Sequence, residues 1–186
     1  MTTNFYKKSL VILSIFFLMF TATASSQITD RYGIYFTADD IKEKKINYGF
    51  NFSELKDLTL KDDKVILRDR SHKKEFKHTE IWGIRNDGKD YRIHNNQYYR
   101  IAYRGHIVIY SVTKKSSKYD QSFEYDEKFF SKDLNTKIFK LNIDNVKAVY
   151  NDNKVILNKL KNLPANYSIS KWYEECDCFI ITKWFE

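Results

Sequence analysis

The sequence is poor in the residues that build the commonest cofactor and disulfide frameworks. Its 186 residues include two cysteines, five glycines and one proline. The glycines are scattered, so there is no phosphate-binding glycine loop, and neither G-x-S-x-G nor H-E-x-x-H occurs. Two cysteines are too few for a disulfide-rich scaffold. We therefore expect no cofactor and no metal site, and the sequence favours a non-enzymatic role.

Aromatic and basic residues are what the chain has in quantity. Aromatic side chains make up 17% of it, and they favour half-buried strands. The formal net charge of +8 suits contact with anionic polymers or lipid headgroups. The length fits one domain. We expect a single β-rich globular domain over residues 27–186.

The first 26 residues have the order of a secretory signal peptide. Lys7 and Lys8 precede an apolar run from Leu10 to Phe20, and the small-x-small segment 22–24 follows. As a helix this run spans about 16 Å, which is about half of a hydrocarbon core, so a membrane anchor is the less favoured alternative. The pattern predicts export, with the mature chain periplasmic or secreted and without a transmembrane span.

The stretch from Ile81 to Thr113 predicts an antiparallel meander. Four short apolar runs are separated there by three turn signals. Asp87-Gly88 suits a two-residue type I′ turn, which needs positive φ at both positions. This turn places Ile84 opposite Tyr91 and Trp82 opposite Ile93.

For the next hairpin we predict the three-residue loop Asn95-Asn96-Gln97, since asparagine tolerates the left-handed conformation. That loop pairs Ile93 with Tyr99 and Tyr91 with Ile101, so apolar side chains face each other. A two-residue loop would instead set Tyr91 against Arg100.

Arg104-Gly105 closes the last hairpin and places Ile101 opposite Val108. The fourth strand, 107–110, is apolar on both faces and should be covered on both sides. One face of the meander would then carry Trp82, Ile84, Ile93, Ile101 and Val108. The opposite face would carry Arg85, Arg92, His94, Tyr98, Arg100 and Arg104.

The flanking segments complete the predicted fold. Thr37 and Asp40 suit the start of a short helix. The segment Lys114 to Gln121 is rich in Lys and Ser and predicts a polar loop. Apolar residues at helical spacing over about 142–163 predict two short helices. We expect a mainly β (α+β) fold, in which an antiparallel meander forms a small barrel or sandwich with two short C-terminal helices.

Three segments carry a resemblance to a known group of proteins: Gly33 to Asp40, Glu80 to Arg92, and Ile109 to Val112. In combination they resemble small exported β-rich proteins of Bacteroidetes-type bacteria, a group with no assigned function. The resemblance implies a secreted or periplasmic β-rich protein and carries over no catalytic residues. The Cys176-Asp177-Cys178 segment lies outside it.

Cys176 and Cys178 are the only cysteines, and an even number in an exported chain suggests pairing. On an extended strand their Cα atoms would lie about 6.5 to 7 Å apart, at the limit for a disulfide. A disulfide and two free thiols therefore both remain open.

The basic face of the meander is the candidate binding site. Arg92 and Arg100 should face each other across strands, and Tyr98 and Arg104 lie beside them. Facing like charges repel, so their counter-ion could be a ligand. Such a ligand would be an anionic polysaccharide or a lipid headgroup, whereas export argues against nucleic acid.

The function predicted is an exported envelope or binding protein. The alternative is a small secreted enzyme whose site is assembled from separated carboxylates or histidines.

Overall fold

The computed structural model describes residues 31–50, 55–69, 72–118 and 121–185. The expected signal peptide lies outside the described residues. The helices are α1 (Ala38–Lys42), α2 (Ile143–Val149) and α3 (Lys154–Lys161), with 3₁₀ turns at Glu174–Cys176 and Ile180–Trp184. The strands are β1 (Tyr32–Tyr35), β2 (Tyr48–Phe50), β3 (Leu55–Leu60), β4 (Lys64–Asp69), β5 (Lys73–Lys77), β6 (Gly83–Asn86), β7 (Lys89–His94), β8 (Gln97–Arg104), β9 (Val108–Lys118), β10 (Gln121–Ser131), β11 (Phe139–Lys140), β12 (Trp172–Tyr173) and β13 (Cys178–Phe179).

The largest unit is an eight-stranded antiparallel sheet in the order β11-β10-β9-β8-β7-β6-β1-β2. Strands β6 to β10 are joined in sequence by hairpins, so the predicted meander is confirmed. Among the described strands the sheet ends at β11 and β2, and it is open rather than closed into a barrel. No helix within the described ranges is long and apolar enough to cross a membrane.

One face of the large sheet carries two apolar clusters at opposite ends. At the β1–β6–β7 end, the three-stranded sheet β3-β4-β5 packs on it in a sandwich-like arrangement. At the β9–β10 end the C-terminal helices and tail cover it. The inter-sheet cluster is built around Ile34, Val65, Leu67, Phe76, Ile84 and Ile93. The helix cluster is built around Ile107, Ile109, Phe130, Val146, Ile156, Leu160, Phe179 and Ile181.

The two predicted C-terminal helices are confirmed. Each begins at an asparagine whose side-chain oxygen accepts a backbone N–H: Asn142 from Asn145, and Asn153 from Ile156. Val146 on α2 and Ile156 on α3 are buried against the sheet. Packing of these apolar positions is what stabilises such short helices, which are marginal alone.

The other face of the large sheet is covered by α1 and the 134–138 segment. The predicted cap of α1 is confirmed, because Thr37 and Asp40 form a capping box. Strand β9 is buried on both faces, as expected: Val108 points to this side and Ile109 to the helix cluster, and both are at most 1% exposed.

The first hairpin has the predicted register. Ile84 pairs with Tyr91, and Arg85 pairs with Asp90. Asp87 and Gly88 both have positive φ, 50° and 75°. The turn chemistry alone was enough to set this pairing.

The second hairpin was predicted wrongly. Asn95 and Asn96 have φ of 49° and 58°, so they form a two-residue turn. Ile93 therefore pairs with Tyr98 rather than Tyr99. Two consecutive asparagines can both adopt the left-handed conformation, and a two-residue turn of this kind matches the twist of the flanking strands.

The third hairpin differs as well, because the β8–β9 pairing is irregular between Ile101 and Tyr103. Ile101 pairs with Tyr110, not with Val108. The apolar set expected on one face is divided, and for Ile101 the cause is the two-residue turn at Asn95-Asn96, which moves it to the face opposite to Tyr91. Ile84 and Ile93 belong to the inter-sheet cluster, whereas Trp82, Ile101 and Val108 pack on the opposite face.

The predicted polar loop at Lys114 to Gln121 is also wrong. Strand β9 continues to Lys118 and β10 begins at Gln121, so the two form a long hairpin. Cross-strand partners in this hairpin include Lys115 and Glu124, whose charged atoms are 3.3 Å apart. Such opposite-charge pairs suit a two-stranded ribbon in solvent.

Candidate functional site

A cleft of about 480 Å³ lies on the sheet face that carries the two apolar clusters. Its walls come from the β6–β7 turn, from β8, from β10 and from the C-terminal tail. The lining residues are Gly88, Lys89, Asp90, Arg100, Ile101, Ala102, Lys128, Trp172 and Phe179.

Strand β8 shows why the cleft is there. Its Tyr98 packs in the inter-sheet cluster and its Tyr103 packs in the helix cluster. Arg100 lies between these two residues on β8, at a position covered neither by the three-stranded sheet nor by the C-terminal helices. A sheet position without an apolar layer over it suits charged side chains.

The sheet register aligns a row of side chains that includes two lining residues of the cleft, Arg100 and Lys128. Tyr91 pairs with Arg100, Arg100 with Ser111, and Ser111 with Lys128. Residues directly opposite across antiparallel strands point to the same face. Side chains from four strands, β7 to β10, are thereby brought to one place.

Asp126 is the carboxylate that organises this row. Its Oδ2 accepts from Lys128 Nζ at 3.1 Å and from Arg100 Nη2 at 3.4 Å, and its Oδ1 accepts from Thr113 Oγ1 at 2.9 Å. Burial raises the pKa of Asp126, but hydrogen bonds from Ser111, Thr113 and Lys128 outweigh it and lower the pKa to about 2. Asp126 is therefore charged at neutral pH.

The cleft nevertheless has an excess of positive charge. Arg100 and Lys128 share the single carboxylate of Asp126, and Lys89 adds a third cation to the lining. Asp90, the acidic residue among the lining residues, accepts at 2.8 Å both from Arg85 Nη1 and from Tyr35 Oη. An anion would therefore find Arg100 and Lys128 only partly neutralised.

An aromatic wall closes one side. Strands β12 and β13 pair Trp172 with Phe179, and the two rings meet edge-to-face with centroids 5.1 Å apart. Phe179 is 3% exposed, while Trp172 is 41% exposed. Lys128 Nζ lies 6.0 Å from the Phe179 ring centroid. The wall offers the indole surface of Trp172 beside a cation.

The structure joins Cys176 to Cys178 by a disulfide in the loop of this hairpin. Their Cα atoms are 5.2 Å apart, closer than an extended strand would place them. Asp177 between them has φ of 49°, and this left-handed residue turns the chain sharply enough to bring the two cysteines together.

Of the four residues expected to form a basic binding face, only Arg100 lies in the cleft. Arg92 is 5% exposed on the opposite face of the sheet. It donates to Thr136 O at 2.8 Å and to Tyr110 Oη at 3.2 Å. The predicted Arg92–Arg100 facing pair is wrong, because the two-residue turn shifts the register by one and sends the two side chains to different faces.

Tyr98 and Arg104 have structural contacts elsewhere. Tyr98 Oη donates to Lys61 O at 3.0 Å and lies 2.6 Å from His78 Nε2, so it connects the two sheets. Arg104 donates to the backbone oxygen of Ile41 at the end of α1. Neither residue is brought to the cleft.

Sequence reasoning missed Lys128, Ser111, Asp126 and Trp172. Nothing in the local sequence of β10 indicates which of its charged side chains would meet Arg100. Within the described ranges, no three His, Cys, Asp or Glu side chains come together as metal ligands. Burial lowers the pKa of His94, with Arg92 and Lys137 adding to the shift, so this imidazole is neutral at pH 7.

Comparison of the chain with family models, with curated proteins and with solved structures gives no match. The assignment of the cleft therefore rests on this chain's own residues.

Proposed function

We propose that the chain is an exported, non-enzymatic binding protein of the bacterial envelope, and that its cleft binds an acidic saccharide. The observation that carries the proposal is the pairing of Arg100 and Lys128 with one shared carboxylate beside the exposed Trp172. A ligand carboxylate would take charge-assisted hydrogen bonds from the two cations. The apolar face of a sugar ring would pack on the indole, whose amphipathic character suits such half-wet sites.

Binding is favoured over catalysis by the state of the cleft's carboxylates. A general acid needs a pKa near the working pH, whereas hydrogen bonds outweigh burial and lower the pKa of Asp126 to about 2. The carboxylate of Asp90 is held by Arg85 and Tyr35. Asp126 therefore suits charge pairing better than proton transfer, and the enzyme alternative has less support.

Export is supported by the sequence alone. The order of Lys7 and Lys8, the apolar run and the small-x-small segment is that of a signal peptide. The resemblance to small exported proteins points the same way. An acidic saccharide is a ligand class found outside the cytoplasm, so location and cleft chemistry agree.

The test uses the mature chain, residues 27–186, and three probes. Polygalacturonate supplies an acidic saccharide, dextran a neutral one, and phosphatidylglycerol vesicles an anionic headgroup. We expect calorimetric binding to polygalacturonate alone. Arg100→Gln and Lys128→Gln should each weaken it about tenfold or more, the size expected for a lost hydrogen bond to a charged group.

Two matched variants control for net charge. Arg68→Gln and Lys159→Gln remove one charge each at exposed positions outside the cleft. They should leave the affinity within about twofold, since exposed charges beyond about 8 Å are screened at physiological salt. Equal losses from all four variants would show diffuse electrostatic attraction, and binding to vesicles alone would replace the saccharide with a lipid headgroup.

A further inference from the structure

The aromatic wall of the cleft is anchored through one of its two strands. On β13, Phe179 is 3% exposed within the helix cluster, and Ile181 just beyond it is fully buried. On β12, Trp172 is 41% exposed and is held by its pairing and ring contact with Phe179. The position of Trp172 therefore depends on how firmly β12 is held to β13.

The loop between β12 and β13 contains a residue whose backbone conformation disfavours the tight turn that the loop makes. Asp177 has φ of 49°, a left-handed conformation that costs a non-glycine residue free energy. The Cys176–Cys178 disulfide spans this residue. Since Tyr173 pairs with Cys178, the bridge attaches to the same strand register that holds Trp172 against Phe179.

We propose that the Cys176–Cys178 disulfide holds the aromatic wall in place and is sensitive to reduction. When a dithiol reductant breaks the disulfide, the loop relaxes and Trp172 leaves the cleft. The affinity for the acidic saccharide then falls. Trp172 is the residue that contacts the ligand, and the disulfide is a positioning element. The ligand part of this inference rests on the proposed function.

The chemistry needs one dithiol. A thiolate of the reductant attacks Cys176 Sγ, the S–S bond breaks, and Cys178 leaves as a thiolate that takes up a proton. The second thiolate of the reductant then attacks the reductant sulfur that is bonded to Cys176 in the mixed disulfide. Cys176 leaves as a thiolate, which is also protonated. The reductant gives up two electrons and leaves as a disulfide.

The surroundings favour attack at Cys176 and disfavour small anionic thiols. Cys176 is half-buried, whereas Cys178 is 5% exposed. Glu174, Glu175 and Asp177 flank the bridge and are all exposed. Their charge repels glutathione and disfavours thiolates at this site. A protein dithiol of the Cys-x-x-Cys kind, which docks through its own surface, fits better.

The expected effect is about tenfold in affinity. The bridge closes a loop of three residues. For so short a loop, the chain-entropy model gives a change of about tenfold in the equilibrium between the ordered and the disordered loop. Because Phe179 stays anchored in the core, the helix cluster should remain folded after reduction.

The experiment measures hydrogen exchange and polygalacturonate affinity with and without dithiothreitol. In the wild type we expect faster exchange over residues 172–177, unchanged exchange over α2 and α3, and a tenfold loss of affinity. Cys176→Ser with Cys178→Ser should show both changes without reductant and should not respond to dithiothreitol. Trp172→Ala should bind weakly and equally in both redox states.

Two outcomes would overturn the inference. Exchange over 172–177 that is unchanged by reduction would show that the disulfide does not hold the wall. A Trp172→Ala variant that still loses tenfold in affinity with dithiothreitol would show that the bridge acts through other residues. Failure of the oxidised wild type to bind polygalacturonate overturns the proposed function and the affinity part, while the exchange result separately decides whether the disulfide holds the wall.

Discussion

Ile109→Ala should be among the most damaging single truncations in the chain. Ile109 is fully buried on β9 and packs in the cluster that attaches the C-terminal helices to the sheet. It pairs with Phe130, so its side chain lies where β9 and β10 meet the helix layer. Removing a buried aliphatic side chain of this size costs about 2 to 5 kcal/mol, which includes the cavity left behind.

The assay is urea unfolding of the chain from residue 27 to residue 186. Small proteins have m-values of about 1 to 3 kcal/mol/M in urea, so the midpoint should fall by about 1 M or more. Val155→Ala on α3 is the matched control, since Val155 is 60% exposed and should change stability by less than about 0.5 kcal/mol. Equal shifts for the two variants would refute the burial of Ile109 beneath the C-terminal helices.

Two further predictions concern the first hairpin and Asp126. Gly88→Ala should lower stability by about 1 to 2 kcal/mol, because φ at Gly88 is 75° while a Cβ there would meet nothing within 4 Å, so only backbone strain acts. An unchanged melting temperature would contradict the left-handed turn. At Asp126, hydrogen bonds outweigh burial and lower the pKa from 3.8 to about 2, so its stabilisation is present above pH 3.8 and is lost as pH falls through about 2. Asp126→Asn should therefore lower the free energy of unfolding at pH 7 by less than about 1 kcal/mol, because solvent screens this partly exposed carboxylate. Below a pH of about 2 the variant should have the same melting temperature as the wild type; a difference that persists there would rule out the charge as its cause.

Local turn chemistry predicted the first hairpin but not the second. Asp87-Gly88 has one favourable arrangement, and it fixed the pairing of Ile84 with Tyr91. At Asn95-Asn96 the predicted loop length is the one that brings apolar residues face to face. The structure instead accepts Tyr91 opposite Arg100. That pairing is tolerated because Arg100 points into a polar cleft, a long-range circumstance that the hairpin sequence does not contain.

The irregularity in β8 had no local signal either. The β8–β9 register shifts between Ile101 and Tyr103, so the residues after it change faces. Neither Ile101-Ala102-Tyr103 nor the facing segment of β9 contains a glycine or proline that would mark the position. A prediction that assumes strict alternation cannot match the pairings on both sides of this shift, and ours paired Ile101 with Val108 instead of Tyr110.

The location of the cleft follows from two layers that cover the same sheet and do not meet. The three-stranded sheet needs apolar residues on β1, β6 and β7, and the helices need them on β9 and β10. The sequence predicted the two helices, and a sandwich was one of the two arrangements expected for the strands. Between the layers the sheet lacks an apolar cover, so side chains there are free to be charged, and Arg100 and Lys128 occupy that place. The sequence does not predict the aromatic wall. Trp172 lies at the cleft only because the C-terminal tail packs Phe179 into the helix cluster. The binding residues thus come from fold-level packing, which is why only Arg100 of the four predicted residues belongs to the site.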